Sequence, residues 1–181
     1  MSHLGRPNGR FEEKFSLTHL VKHLSSLLKK NVLFSPNCVG KPVLDRIKNM
    51  SYGDVLLLEN LRFHAEEKSG NEVFAKELSK LADIYINDAF GVCHRSHAST
   101  TVVAKYFKEK LSGELLENEV AALEKALKKP KKPLTAIIGG AKIKGKVDVI
   151  SSLLDKVDNL IIGGGMAYTF IKAKGGNIGN S

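Results

Sequence analysis

The stretch Leu134-Thr-Ala-Ile-Ile-Gly-Gly-Ala-Lys-Ile-Lys-Gly-Lys-Val147 holds the residues best placed to do chemistry. An apolar run ends at Ile138, Gly139 and Gly140 let the backbone approach a ligand without an intervening Cβ, and Val147, Ile150, Leu153 and Leu154 open an amphipathic helix. Lys142, Lys144 and Lys146 stand at that helix entrance, where free N–H groups and the helix dipole already favour an anion. The pattern suits a turn that handles phosphate. Gly140-x-x-x-x-Gly145-Lys146-Val147 comes within one residue of a P-loop, but Val147 stands where the magnesium-binding Ser or Thr is required. A P-loop nucleotidase and a solvated lysine cluster on a structural turn stay open as alternatives.

Cys93-His-Arg-Ser-His97 groups one sulfur with two imidazoles. No second ligand pair follows at zinc spacing, so the expectation is no metal site. His94 and His97 are expected instead to support Arg95 or to bear on a substrate, and Cys38 to be a small buried hydrophobe.

Short runs rich in Val, Ile and Leu must position these groups, at 31–35, 54–59, 83–87, 134–138 and 159–162. They are nearly continuous in apolar residues, as expected of strands covered on both faces, and the spacers have the lengths of crossover helices. Helices are expected at 13–28, 42–48, 71–81, 99–110, 112–127, 146–155 and 167–174. The alternation reads as α/β, a parallel sheet with helices on both faces. In such sheets ligands bind beyond the carboxyl ends of the strands. The segments that follow the strands, Glu59-Asn-Leu-Arg-Phe-His64, the loop 87–99 and Gly163-Gly-Gly-Met166, are therefore expected to cluster. Ser2-His-Leu-Gly-Arg-Pro7 follows no strand, and Gly175-Gly-Asn-Ile-Gly-Asn-Ser181 is a glycine-rich turn without a closing element. Together they read as a piece of a longer chain, with a strand before Met1.

With 181 residues and 43% hydrophobic content the chain can bury a core, as one large domain or parts of two. A net charge of +9 and a pI near 9.5 favour anionic partners, from nucleic acid to phosphorylated metabolites. Much of the excess lies in Lys125-Ala-Leu-Lys-Lys-Pro-Lys-Lys-Pro133, which reads as a solvated helix end. Aromatic residues make up only 7%, with no Trp, so the basic stretches have no stacking rings between them for single-stranded nucleic acid. No apolar run has the length of a membrane span, the N-terminus lacks the layout of a signal peptide, and two cysteines make no disulfide framework, so a cytoplasmic protein is expected.

Ser2-His-Leu-Gly-Arg-Pro7, Leu57-Leu-Glu-Asn-Leu-Arg-Phe-His64, Asn87-Asp-Ala-Phe with His94-Arg-Ser-His-Ala-Ser99, Gly139-Gly-Ala-Lys142 and Ile161-Ile-Gly-Gly-Gly-Met166 resemble phosphoglycerate kinase in order and spacing, from Ser2 to Ser181. The resemblance implies part of a two-domain, hinge-bending, Rossmann-like kinase. Residues 1–110 would belong to the 3-phosphoglycerate-binding domain, 111–132 to an interdomain helix and linker, and 133–181 to the start of a nucleotide-binding domain. It implies reversible phosphoryl transfer between 1,3-bisphosphoglycerate and ADP, giving 3-phosphoglycerate and ATP in glycolysis. Such an enzyme is expected to be a monomer acting on neither nucleic acid nor membrane.

By motif match, His3, Leu4, Gly5 and Arg6 resemble the turn that meets the phosphate and carboxylate of 3-phosphoglycerate, and Arg62 and Arg95 two further arginines of a basic patch. Lys142 resembles the lysine on the transferring phosphoryl group, Lys146 one on nucleotide phosphates, Gly140 and Ala141 their turn, and Gly163, Gly164 and Gly165 the strip beside the adenine. Lys142 and Arg6 are the residues expected to act on the reacting group. The cofactor implied is ATP or ADP with Mg2+, whose ligands the resemblance places outside this chain, so residues 1–181 alone are expected to be inactive. Gly145 stands where the family commonly has Asp, which loosens the turn before Lys146. A P-loop-like nucleotidase and a basic nucleic-acid-binding module are the rival readings.

Overall fold

The computed structural model describes residues 1–128 and 130–180; Lys129 of the basic run and Ser181 of the C-terminal turn lie outside the described residues. The chain divides into two compact units, Met1–Asn118 and Glu119–Ser181.

The first unit runs α1 (Val21–Leu28), β1 (Val32–Ser35), α2 (Lys41–Lys48), β2 (Val55–Leu58), α3 (Ala65–Ser69), α4 (Glu72–Ser79), β3 (Ile84–Asn87) and β4 (Glu109–Ser112). β1 pairs with β2 in parallel from Val32↔Val55 to Ser35↔Leu58, and β3 with β4 from Ile84↔Glu109 to Asn87↔Ser112. The core gathers Cys38, Val43, Leu58, Phe74, Tyr85 and Val103. Local signals end the helices. Gly70 takes the left-handed conformation (φ 66°) that stops α3, and the Asn71 side chain accepts from Phe74 N–H at 2.9 Å to start α4.

Helix α5 (Glu114–Lys128) carries the boundary between the units, and the second unit continues with β5 (Thr135–Gly139), α6 (Val147–Leu154), β6 (Asn159–Gly163) and α7 (Met166–Ala173). β5 and β6 pair in parallel, from Thr135↔Asn159 to Gly139↔Gly163. Among its described residues only Ile150 and Met166 are buried.

Each expected strand forms and pairs in parallel, as the α/β class requires, and among the described residues the pairing takes the form of three two-stranded ladders. Coverage of both strand faces fails. Successive side chains alternate faces, and one face of each later ladder is open: Ile86 beside Leu111 (59% and 54% exposed) and Ile137 beside Ile161 (73% and 51%). The helix expected at 99–110 is instead a wide π turn at Ala98–Val102, a 3-10 turn at Val103–Tyr106 and strand β4. The run Thr100-Thr-Val-Val103 is β-branched throughout, and both threonine hydroxyls donate to the Arg95 carbonyl, at 3.1 and 2.9 Å. Likewise the helix expected at 13–28 is broken into 3-10 turns at Glu13–Phe15 and Leu17–Leu20 that lead into α1, and residues 16 and 17 at the break are captured by a distant carboxylate. Ser16 Oγ and Leu17 N–H both donate to Glu59, at 2.6 and 2.8 Å.

Candidate functional site

The candidate site residues fall in two places, one in each unit. In the first, β2 delivers Glu59, Asn60 and Arg62 to the end of its ladder, and these residues build a platform. Asn60 is fully buried. Its Nδ2 donates to the carbonyls of Leu4 (2.7 Å) and Phe15 (2.9 Å), while its Oδ1 accepts from Arg62 N–H (3.0 Å). The Arg62 guanidinium donates to Gly5 O at 2.8 Å, Leu61 N–H to Ser2 O, and Gly9 N–H to Arg62 O. The turn His3–Arg6 is thus stapled, backbone first, onto the residues after β2. Gly5 is required there: its φ is 64°, and a Cβ would meet the Phe15 ring at 2.3 Å.

A second clip holds the loop after β3. Glu67, 4% exposed on α3, accepts from Ser99 N–H (3.0 Å) and Ser99 Oγ (2.6 Å), with His97 Nδ1 at 3.8 Å. Arg95 Nε lies 3.3 Å from His94 Nε2.

With these supports Arg6, Arg62 and Arg95 line one pocket of about 180 Å³, together with Lys68 from α3. Among the described residues no carboxylate lines it. Desolvation first, then the charges of Arg95 and Arg6, depress the Arg62 pKa, which places the three guanidinium groups within electrostatic reach of one another. His3 lines a separate cavity of about 280 Å³ with Glu67, His97 and Ser99. Burial, then Arg62, His97 and Arg95, hold its pKa below the ordinary 6.5, so the imidazole is neutral at pH 7 and the site's positive charge is that of its arginines and lysine. Leu4 and Gly5 give their carbonyls to Asn60 and Arg62, and neither lines the pocket.

In the second unit, backbone packs on backbone. Met166 N–H donates to Gly140 O at 2.9 Å; a Cβ on Gly164 would sit 3.0 Å from that same oxygen, and one on Gly165 2.9 Å from Ala141 O. The turns after β5 and β6 can approach this closely only because those positions are glycine. Lys146 folds over the first of them, its Nζ 3.0 Å from where a Gly140 Cβ would be, while Lys142 is exposed on the turn. Gly145, at φ 80°, occupies a conformation that suits glycine, so the departure at this position fits the turn it makes. Gly163 continues the β5–β6 pairing, and a side chain would fit there. An open pocket of about 720 Å³ is lined by Ala141, Gly165, Tyr168, Thr169 and Lys172; Lys142 and Lys146 stand outside its lining.

Asn60, Glu67 and Lys68 escaped the sequence reading. Asn60 and Glu67 act through contacts with residues 56 and 32 positions away, and Lys68 sits in a charged helical run that resembles any solvated face.

The phosphoglycerate kinase family profile matches residues 1–181. The phosphoglycerate kinase of Aquifex aeolicus (strain VF5) is 50% identical over 181 residues, covering 100% of this chain and 45% of the relative. That of Chlorobium limicola is 48% identical, covering 100% of this chain and 46% of the relative. Among solved structures, phosphoglycerate kinase from Coxiella burnetii superposes with a TM-score of 0.80 at 44% identity, covering 99% of this chain and 45% of that one. The enzyme from Pyrococcus horikoshii OT3 gives 0.81 at 33% identity, covering 98% and 45%. The chain spans a little under half the length of the curated relatives it matches.

Proposed function

The chain belongs to the phosphoglycerate kinase family, and from that premise we propose that it serves reversible phosphoryl transfer between 1,3-bisphosphoglycerate and ADP. Its first unit binds the phosphoglycerate, and its second holds nucleotide phosphates. The observation that carries the first assignment is the pocket lined by Arg6, Arg62 and Arg95, cations from separate segments with no carboxylate among them. Planar guanidinium forks offer paired donors to phosphate and carboxylate alike, and assembling like charges without a counter-ion favours a polyanion. Arg62, tied to Gly5 O, holds its fork in one orientation before any ligand arrives.

In the second unit, the glycine-lined backbone at 140 and 164–165, with Lys146 above it and Lys142 beside it, supports a seat for nucleotide phosphates. The open pocket at Tyr168 and Thr169 supports room for the rest of ATP or ADP. Transfer of a phosphoryl group needs positioning and charge neutralisation more than covalent help, and lysines and arginines supply both. Among the described residues no three His, Cys, Asp or Glu side chains group closely enough to hold a metal ion. Magnesium, which the family reading brings with the nucleotide, is proposed to enter with ATP or ADP. Val147 opens α6 with an aliphatic side chain, which together with the family match favours the kinase over a P-loop nucleotidase or a nucleic-acid-binding module.

No described helix is long and apolar enough to cross a membrane. On this reading the protein works as a monomer in the cytoplasm on metabolites, and residues 1–181 by themselves bind 3-phosphoglycerate while turning over little. Calorimetric titration of 3-phosphoglycerate tests it. Saturable binding is expected, weakened about tenfold or more in Arg62→Met or Arg95→Met, since hydrogen bonds to charged groups contribute about 1.5–3 kcal/mol. Absence of binding, or indifference to both substitutions, refutes the assignment.

A further inference from the structure

Resting on the reading of the four-cation pocket as the anion site, we propose that Lys68 is a further ligand-binding residue that favours the doubly charged phosphate over a lone carboxylate. Four side chains line the pocket, and Lys68 is the one that is not an arginine. It stands in the last turn of α3, on a helix held in place from both ends. Glu67, the residue before it, is locked to Ser99 by two hydrogen bonds, and Gly70 closes the helix with its N–H on the carbonyls of Glu66 and Glu67. The adjacent carboxylate of Glu67 is therefore spent on Ser99 and His97, and among the described residues Lys68 makes no ion pair. Its charge is felt at His97, whose pKa burial lowers first and Arg95, Arg62 and Lys68 lower further, against Glu67.

An ammonium differs from a guanidinium in what it recognises. Arginine reads a planar pair of oxygens, whereas lysine is a compact point charge on a flexible stem, and its attraction grows with the ligand's charge more than with its shape. A phosphate monoester carries close to two negative charges at pH 7 and a carboxylate one. Three forks already orient the ligand, so the fourth cation adds charge selectivity.

The experiment titrates 3-phosphoglycerate and, separately, D-glycerate into the full chain and into Lys68→Met, Lys68→Arg and Arg62→Met, at 20 and 200 mM KCl, with thermal melts as a folding control. A unit charge about 4 Å away in water corresponds to roughly a fivefold change in affinity. Lys68→Met is expected to bind 3-phosphoglycerate about fivefold more weakly at low salt, with a flatter salt dependence. Lys68→Arg should restore most of that loss, and glycerate affinity should change less than twofold. If Arg62→Met loses affinity while Lys68→Met binds as the parent does with the same salt slope, the role of Lys68 is overturned and the anion site stands. If neither substitution changes affinity, both the site and the role of Lys68 are overturned.

Discussion

Asn60→Ala should loosen the anion site from its foundation. The side chain is fully buried and makes three hydrogen bonds, to Leu4 O, Phe15 O and Arg62 N–H, at 2.7, 2.9 and 3.0 Å. Alanine deletes all three and leaves two carbonyls and one N–H without their partner. Net hydrogen bonds contribute about 1 kcal/mol each, and a buried group left unsatisfied costs about 1–3 kcal/mol. Because these bonds are only partly shielded from water, the low end applies, and the sum is about 3 kcal/mol. With a urea dependence of about 1–3 kcal/mol per molar, the midpoint of unfolding should fall by about 1–3 M at unchanged slope. The same substitution frees the turn that presents Arg6, so 3-phosphoglycerate affinity should fall in the fraction that remains folded. Urea titration followed by circular dichroism, with calorimetry in the absence of denaturant, measures both. A midpoint shift under about 0.3 M, or unaltered affinity in the folded variant, would refute the idea that Asn60 pins the site.

Gly70→Ala places a Cβ 2.4 Å from the Ser96 carbonyl at φ 66°, so the backbone beside Arg95 must move. The melting temperature should drop, with at least about 1 kcal/mol lost to left-handed strain, and 3-phosphoglycerate binding should weaken; an unshifted melt would contradict the close approach. Acid should destabilise the free protein below pH 6.5. His3, His64 and His97 all have pKa values depressed below 6.5, in each case first by burial, so the unfolded chain takes up protons before the folded one. Stability is then flat above about pH 6.5 and falls as pH drops from there towards the depressed values; urea midpoints at pH 7.5, 6.5 and 5.5 that do not fall would exclude this. Thiol titration with Ellman's reagent should count one reactive cysteine in the native protein, the exposed Cys93, and a second only on denaturation. Cys38 is fully buried, with its pKa pushed up to about 12 by burial and then by Glu59.

Much was legible without coordinates because it is local. Apolar runs bounded by turn residues gave the strands at Val32–Ser35, Val55–Leu58, Ile84–Asn87, Thr135–Gly139 and Asn159–Gly163, and motifs in register gave the family. Arg6, Arg62 and Arg95 could be grouped in advance because each was expected to follow a strand, and strands in a parallel arrangement end on the same side. The structure alone decided how they are held. Asn60 reaches residues 56 and 45 positions away, Glu59 breaks a helical pattern by binding Ser16 and Leu17, and Glu67 ties α3 to the loop that carries Arg95. A single side chain's spacing along the chain carries no trace of such bonds, because both partners look like ordinary polar residues until folding removes water from between them. The run Thr100–Val103 shows the same limit from the other side. Its periodicity permitted a helix, and β-branching, the hydroxyl bonds to Arg95 O and the packing of Phe107 against Tyr85 turned it into a π turn running into a 3-10 turn.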